Sequence, residues 1–198
     1  MDATLHAESD RIVRARESEA DAERNDAATV AGEAVIDVAP HNCFACGSLN
    51  EHGLHLDLHV ARERCWTELT IGDRFQGWDG IAHGGIVSTI LDEVMAWSLA
   101  ATDNWGVTAR MTVTFKQPVP IGARIRAEGW IVANRRRVIQ TAARIVDADG
   151  AALALAEATY VEAGPQRKAE LQARYRFRLA PAGAGKGEPA VRRKAGVS

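Results

Sequence analysis

The sequence predicts an α+β domain in which one antiparallel β-sheet wraps around a single buried helix. Three observations carry this. Residues 84–101 are the one long apolar stretch with helical spacing. Segments with strand patterning flank it, two before and four after, joined by connections too short for parallel crossovers. The helix has no other core to enter, so the sheet must cover it.

Taken in order, Leu54, Leu56, Leu58 and Val60 alternate with His55, Asp57 and His59, the period-two signature of a strand. His55 and His59 then face away from the core. A second strand follows at 65–71, and Gln76-Gly77-Trp78-Asp79-Gly80 reads as a glycine-rich loop. In the helix, Ile86, Val87, Ile90, Leu91, Val94, Met95 and Leu99 recur at helical spacing among mostly small residues, which predicts burial nearly all round. After Trp105-Gly106 the period returns to two. Residues 107–115 form a strand closed by Pro118-Val119-Pro120, because proline cannot donate to a ladder. Residues 125–132 form the next. Residues 138–146 and 152–161 make a hairpin around Asp147-Ala148-Asp149-Gly150, a favourable turn sequence. Residues 166–178 read as a short exposed helix. A sheet curled around a central helix is the hotdog architecture.

A chain of 198 residues accommodates one such domain plus tails. Residues 1–34 are rich in Asp, Glu, Arg and Ala and bury too little to order themselves; they read as disordered or loosely helical. The hotdog domain is placed at 35–163, and 164–198 holds the C-terminal helix and a flexible basic tail. There Pro181 opens linker chemistry and Arg192-Arg193-Lys194 reads as a solvated terminus. A formal charge of −2 points away from nucleic acids and membrane surfaces. No apolar run approaches the ~20 residues a bilayer span needs. The start lacks the basic and apolar regions of a signal peptide. Three cysteines, an odd number, fit a reducing compartment rather than a disulfide framework. The chain therefore reads as cytoplasmic.

The stretch most able to carry chemistry runs from Gly80 to Glu93. His83-Gly84-Gly85 opens the buried helix, where glycine lets a ligand approach the backbone. Free N–H groups in the first turn can stabilise a carbonyl becoming an oxyanion. The bland alternative is a glycine-rich turn with a packed histidine. Asp92 lies in the middle of the apolar helix and shares its one polar stripe with Ser88 and Glu93. Burying an ionised carboxylate there is costly, which marks it as a functional candidate against the alternative of an exposed or salt-bridged aspartate. Eight residues separate Gly84 from Asp92, so they stand about 12 Å apart along the axis. If both act on one carbonyl group, they come from two subunits. A two-fold dimer is the commonest way to achieve that.

These residues resemble the PaaI-like branch of the hotdog thioesterase superfamily. Three segments carry the likeness, covering residues 41–163. The first is Asn42-Cys43-Phe44-Ala45-Cys46-Gly47 with Asn50 and Gly53-Leu54. The second runs from Phe75 to Gly80 and on through His83-Gly84-Gly85 to Asp92-Glu93. The third runs from Thr108 to Pro120. The resemblance implies hydrolysis of an acyl-CoA, aryl or short to medium in chain length, to free acid and coenzyme A. It implies that Gly84 N–H polarises the thioester carbonyl with Gly85 as helper. His83 then shapes the loop, Asp92 is nucleophile or general base, and Thr108 positions the attacking water. It also implies that two subunits share the site, as homodimer or homotetramer. Where some relatives carry Asn or Gln six residues before the motif histidine, this chain has Gly77, with Gln76 beside it.

Further binding candidates are Gln76 and Trp78 near the motif, and Arg135 and Arg136, whose guanidinium groups suit coenzyme A phosphates unless they only solvate a turn. Trp97 and Phe75 line either a pocket or the core. Cys43-x-x-Cys46 with His41, His52, His55 and Cys65 near it is weak evidence for zinc. A structural site usually shows two close ligand pairs, and a packed or loop-stabilising pair is favoured. No metal and no cofactor is therefore expected. The competing functions are a hotdog dehydratase or hydratase, for which no motif is visible, and a non-catalytic acyl-CoA-binding module. Asp92 together with Thr108 discriminates against the latter.

Overall fold

The structure is a computed structural model and describes residues 34–181 apart from Ala101. The readings for the N-terminal segment up to residue 33 and for the basic tail lie outside the described residues. The elements in order are β1 (Ala34–Asp37), β2 (His59–Ala61), β3 (Arg64–Thr70), a 3-10 turn (Asp73–Phe75), β4 (Gln76–Trp78), β5 (Ile81–Ala82), α1 (Gly84–Ala100), β6 (Gly106–Phe115), β7 (Arg124–Arg135), β8 (Val138–Val146), β9 (Ala152–Glu162), α2 (Pro165–Tyr175) and β10 (Arg178–Pro181). The main sheet has the order β10-β1-β2-β3-β7-β8-β9-β6. Every pairing in it is antiparallel. It wraps α1, as the pattern predicts.

Small residues decide how closely the helix seats. Gly129 of β7 lies under α1, and a Cβ there would stand 2.7 Å from the Val94 carbonyl carbon and 2.8 Å from Met95 N. On β9, Ala154, Ala156 and Ala158 form a buried low stripe on alternate positions, ending at Tyr160. Val87, Ile90, Leu91, Val94 and Met95 fill the space between.

The helix is not buried all round. Gly85 is exposed, and Ile86, Ser88, Thr89, Asp92, Glu93 and Ala96 are only half-buried. This leaves one open side, where small and polar residues replace the large apolar ones.

Residues 54–58 also depart from expectation. Their burial alternates as predicted, but Leu54 N–H and Leu56 N–H donate to Phe44 O and Ala45 O at 2.8 and 2.9 Å. The cysteine-bearing loop competes for their backbone, His55 adopts a left-handed φ of 52°, and only His59–Ala61 joins the sheet. The loop 76–80 is held as a short β4–β5 hairpin. At the far end α2 stops at Tyr175, because Arg176 takes a left-handed φ of 44° and donates its N–H to Gln172 O. The chain then returns as β10 to pair with β1. The segment beyond residue 163 is thus packed on the domain up to Pro181, with Phe177 5.5 Å from Trp97 between ring centroids. Trp97 itself is buried.

Candidate active site

The start of α1 is built around His83. Its backbone N–H donates to Phe75 O at 2.9 Å, and its carbonyl accepts from Ile86 and Val87. Its side chain turns back as a cap: Nδ1 accepts the Gly85 N–H at 2.9 Å. A neutral imidazole accepting at Nδ1 carries its hydrogen on Nε2, which is left as an exposed donor. Gly85 N–H is thereby occupied, whereas Gly84 N–H has no acceptor among the described residues. Both the free first-turn donor and the histidine stand at the start of α1, the positive end of the helix dipole. Gln76 braces the hairpin before this turn, its Oε1 accepting from Gly80 N–H at 3.3 Å.

Two grooves flank His83-Gly84-Gly85. One, of about 340 Å³, runs past Gly84 and Val87 and is closed by Phe115 and Pro118. The other, of about 440 Å³, is lined by Phe44, Arg74, Phe75, Gln76, His83 and Thr89. Arg74 is a cation that the sequence did not single out. It stands 4.6 Å from the Phe75 ring centroid and donates to Gly53 O at 2.9 Å.

Asp92, two turns further on, has two hydroxyl partners. Thr108 Oγ1 donates to its Oδ1 at 2.8 Å and Tyr160 OH donates to the same oxygen at 2.7 Å, with Asp92 O 3.0 Å from the phenol. Thr108 and Tyr160 are register partners on β6 and β9, so their side chains share the face toward the helix. A register shift in β6 follows Thr108, a local bend of the kind that re-aims a side chain. Burial, and then the Asp92 charge and hydrogen bond, push the Tyr160 phenol well above its ordinary value, so it remains a donor. Asp92 Oδ2 has no protein partner among the described residues. The carboxylate is thus oriented through one oxygen and open at the other, on the half-buried side of α1.

The structure brings the two sequence candidates Asp92 and Thr108 together and adds Tyr160, which the sequence did not single out. The available signal was a lone phenol ending the alanine stripe, whose O–H needs a partner once buried. Glu93 leaves the polar stripe and turns inward, accepting from Trp97 Nε1 at 2.8 Å. Its carboxyl is pushed up to about 7, chiefly by burial and then by the Cys43 charge. Arg135 and Arg136 sit at the β7–β8 turn. Their neighbour Arg137 bonds through its carbonyl to Glu162 N–H, at the same end of the sheet as Thr108. β8 and β9 still intervene between that turn and β6. Trp78 is 83% exposed and lines neither groove. Within one chain the two halves of the motif remain apart, because Gly84 and Asp92 stand on one continuous helix.

This arrangement, an antiparallel sheet around one helix that opens on His-Gly-Gly and carries an aspartate beyond, is that of the hotdog fold. Residues 79–154 match the thioesterase superfamily. Solved structures that share the fold include the following three. A thioesterase superfamily protein aligns with TM-score 0.59 at 22% identity over 81% of this chain and 79% of its own. The Escherichia coli PaaI protein, from the phenylacetic acid degradation operon, aligns with TM-score 0.51 at 15% identity over 65% of this chain and 80% of its own. A hypothetical thioesterase from Streptococcus pneumoniae, solved with coenzyme A, aligns with TM-score 0.50 at 18% identity over 51% of this chain and 82% of its own. Variants of it are known with an aspartate replaced by alanine and with a threonine, sixteen positions further on, replaced by alanine. No curated protein matches the sequence. The chain carries a hotdog domain, and residues 79–154 of it resemble the thioesterase superfamily. Among the described residues no helix is long and apolar enough to cross a membrane.

Proposed function

We propose that this domain hydrolyses an acyl-CoA thioester, aryl or short to medium in chain length, to the free acid and coenzyme A. The observation that carries the reading is the Asp92 carboxylate, fixed at Oδ1 by Thr108 and Tyr160 and free at Oδ2. An ionised carboxylate held this way can take a proton from water. The water oxygen then bonds to the thioester carbon, and the carbonyl electrons move onto oxygen, where Gly84 N–H and His83 Nε2–H stabilise the charge. Collapse re-forms the carbonyl and breaks the carbon–sulfur bond, and the departing thiolate takes up the proton. Asp92 Oδ2 can instead attack the thioester carbon directly, breaking the carbon–sulfur bond and expelling coenzyme A thiolate, which takes up a proton from solvent, and the mixed anhydride so formed is opened by water to the free acid. The S. pneumoniae protein supports the reading, because the aspartate and threonine varied there have the same spacing as Asp92 and Thr108.

The helix start and the carboxylate must then come from different subunits, so the working unit is a two-fold homodimer or a tetramer built from it. The open side of α1 and the outermost strand β6, with Val107 and Phe115 exposed, are the surfaces available for that pairing. Arg135, Arg136 and Arg74 are the cations proposed to meet the coenzyme A phosphates.

Thiol release from a panel of aromatic and aliphatic acyl-CoA substrates tests this. Wild type should release thiol from some of them, and Asp92→Asn should lose about 10²–10⁴-fold in kcat while remaining folded. A wild type that binds acyl-CoA without releasing thiol is a binding module. A fully active Asp92→Asn moves the carboxylate role elsewhere.

A further inference from the structure

We propose that His41 Nε2, Cys43 Sγ and Cys46 Sγ hold one tetrahedral cation of the Zn²⁺ class, with the Glu93 carboxylate facing the fourth position. The ligand atoms make no hydrogen bond to Asp92, so the inference is independent of the hydrolase reading.

The three ligand atoms lie within 4.8 Å of one another. Around a tetrahedral zinc ion, bonds of about 2.3 Å to sulfur and about 2.0 Å to nitrogen place neighbouring ligand atoms roughly 3.5–3.8 Å apart. His41 Nε2 is 3.4 Å from Cys46 Sγ. That pair stands at about the length of one tetrahedral edge, and the other pairs lie within 4.8 Å.

The histidine is held as a ligand. Nδ1 lies 2.9 Å from Ala39 O, and a carbonyl can only accept, so Nδ1 carries the hydrogen and the Nε2 lone pair points at the sulfur. A backbone carbonyl behind the ring is the usual outer support of a metal-bound histidine. The ring is 4% exposed and sits edge-on to Tyr175 at 5.2 Å.

Gly47 N–H donates to Cys43 O at 3.0 Å, closing the turn that brings Cys43 and Cys46 together. A Cβ at Gly47 would fall 2.4 Å from Cys43 N and 2.5 Å from His41 O, so only glycine lets the turn close this tightly.

Charge completes the case. Glu93 points inward with each carboxylate oxygen 4.0 Å from Cys43 Sγ, and no lysine or arginine pairs with it among the described residues. A carboxylate and two thiols gathered beside a histidine lone pair lack a cation, and a dication supplies it. Sequence spacing hid this set, because the second pair expected of a zinc site is replaced by a histidine two positions before the first cysteine and a glutamate on the helix.

The test uses the full chain, reduced, stripped with EDTA and titrated with Co²⁺. The expected result is about one Co²⁺ per chain, with a thiolate-to-cobalt charge-transfer band and intense tetrahedral bands that Zn²⁺ abolishes. Zn²⁺ should also raise the thermal midpoint. Cys43→Ser and Cys46→Ser should remove the charge-transfer intensity stepwise, and His41→Ala should weaken binding by about 10-fold or more. A folded wild type that gives no thiolate band and no shift of its midpoint with Zn²⁺ overturns the proposal. So does a band that survives both cysteine variants. If the variants fail to fold, the wild-type titration alone decides between these outcomes, and the absorbance reads metal binding whether or not the chain cleaves thioesters.

Discussion

Tyr160 donates its phenolic hydrogen to Asp92 Oδ1 at 2.7 Å, and Thr108 donates to the same oxygen at 2.8 Å. Two donors on one carboxylate oxygen fix the plane of the group and leave the other oxygen for chemistry. If Asp92 is the base, Tyr160 is a positioning residue. Tyr160→Phe keeps the ring in its buried slot and deletes only the hydroxyl. We expect kcat to fall about 10-fold with KM nearly unchanged, and stability to fall by about 1 kcal/mol. Steady-state kinetics and denaturant titration separate these. A stability loss with unchanged kcat would leave Tyr160 a packing role alone.

The free N–H of Gly84 gives a sharper test of the shared site. Proline is tolerated at the first position of a helix, and the space beside Gly84 meets only the Phe115 ring, at 3.4 Å. Gly84→Pro should therefore fold, pair and lose about 10²–10³-fold in kcat. Each variant alone is inactive, but mixed Gly84→Pro and Asp92→Asn chains should recover about a quarter of wild-type activity, since half the dimers then hold one intact site. No recovery, with mixed dimers shown by mass spectrometry, would mean that each chain works alone.

How far the sequence revealed this site follows from which signals were local. Asp92 stood out because a carboxylate is anomalous in an apolar helix, and Thr108 because it opens a strand within a recognisable motif. Tyr160 is 68 positions from Asp92, and the contact exists only once β9 and β6 pair around the helix. The same holds for the fold. The helix and the long strands carry their own periodicity, whereas β1 and β10 are four residues each and acquire their pairing from one another. Residues 54–58 had the correct alternation, yet the N–H groups of Leu54 and Leu56 were taken by the loop of Cys43 and Cys46, a competition no local pattern records.

Gly129 sets how deeply α1 sits. An added Cβ would press on the backbone of Val94 and Met95 at 2.7–2.8 Å, and backbone in mid-helix has no rotamer by which to yield. Gly129→Ala should cost about 3 kcal/mol, at the upper end for overpacking. It should also shift Asp92, two residues before Val94, and reduce kcat more than a remote substitution of equal stability cost. A denaturation midpoint within experimental error of wild type would show that the helix adjusts freely.

On the face of the sheet away from the helix, β7 and β8 pair Glu128 with Arg144, both largely buried, with Arg144 Nε 2.5 Å from Glu128 Oε1. Burial alone would raise the Glu128 carboxyl, but the Arg144 charge and hydrogen bond outweigh it and hold the group below its ordinary 4.5. With the folded value depressed, the stabilisation is complete above about pH 4.5, where the unfolded chain is also ionised. It is lost as pH falls through the depressed folded value, because the unfolded chain takes up its proton first. Glu128→Gln leaves Arg144 buried and without its full partner, so at neutral pH it should destabilise by about 3–5 kcal/mol. The gap to wild type should stay constant down to about pH 5 and then narrow as pH falls further. Urea denaturation across that range reads both features. A gap that does not change with pH would mean that the pair contributes shape rather than charge.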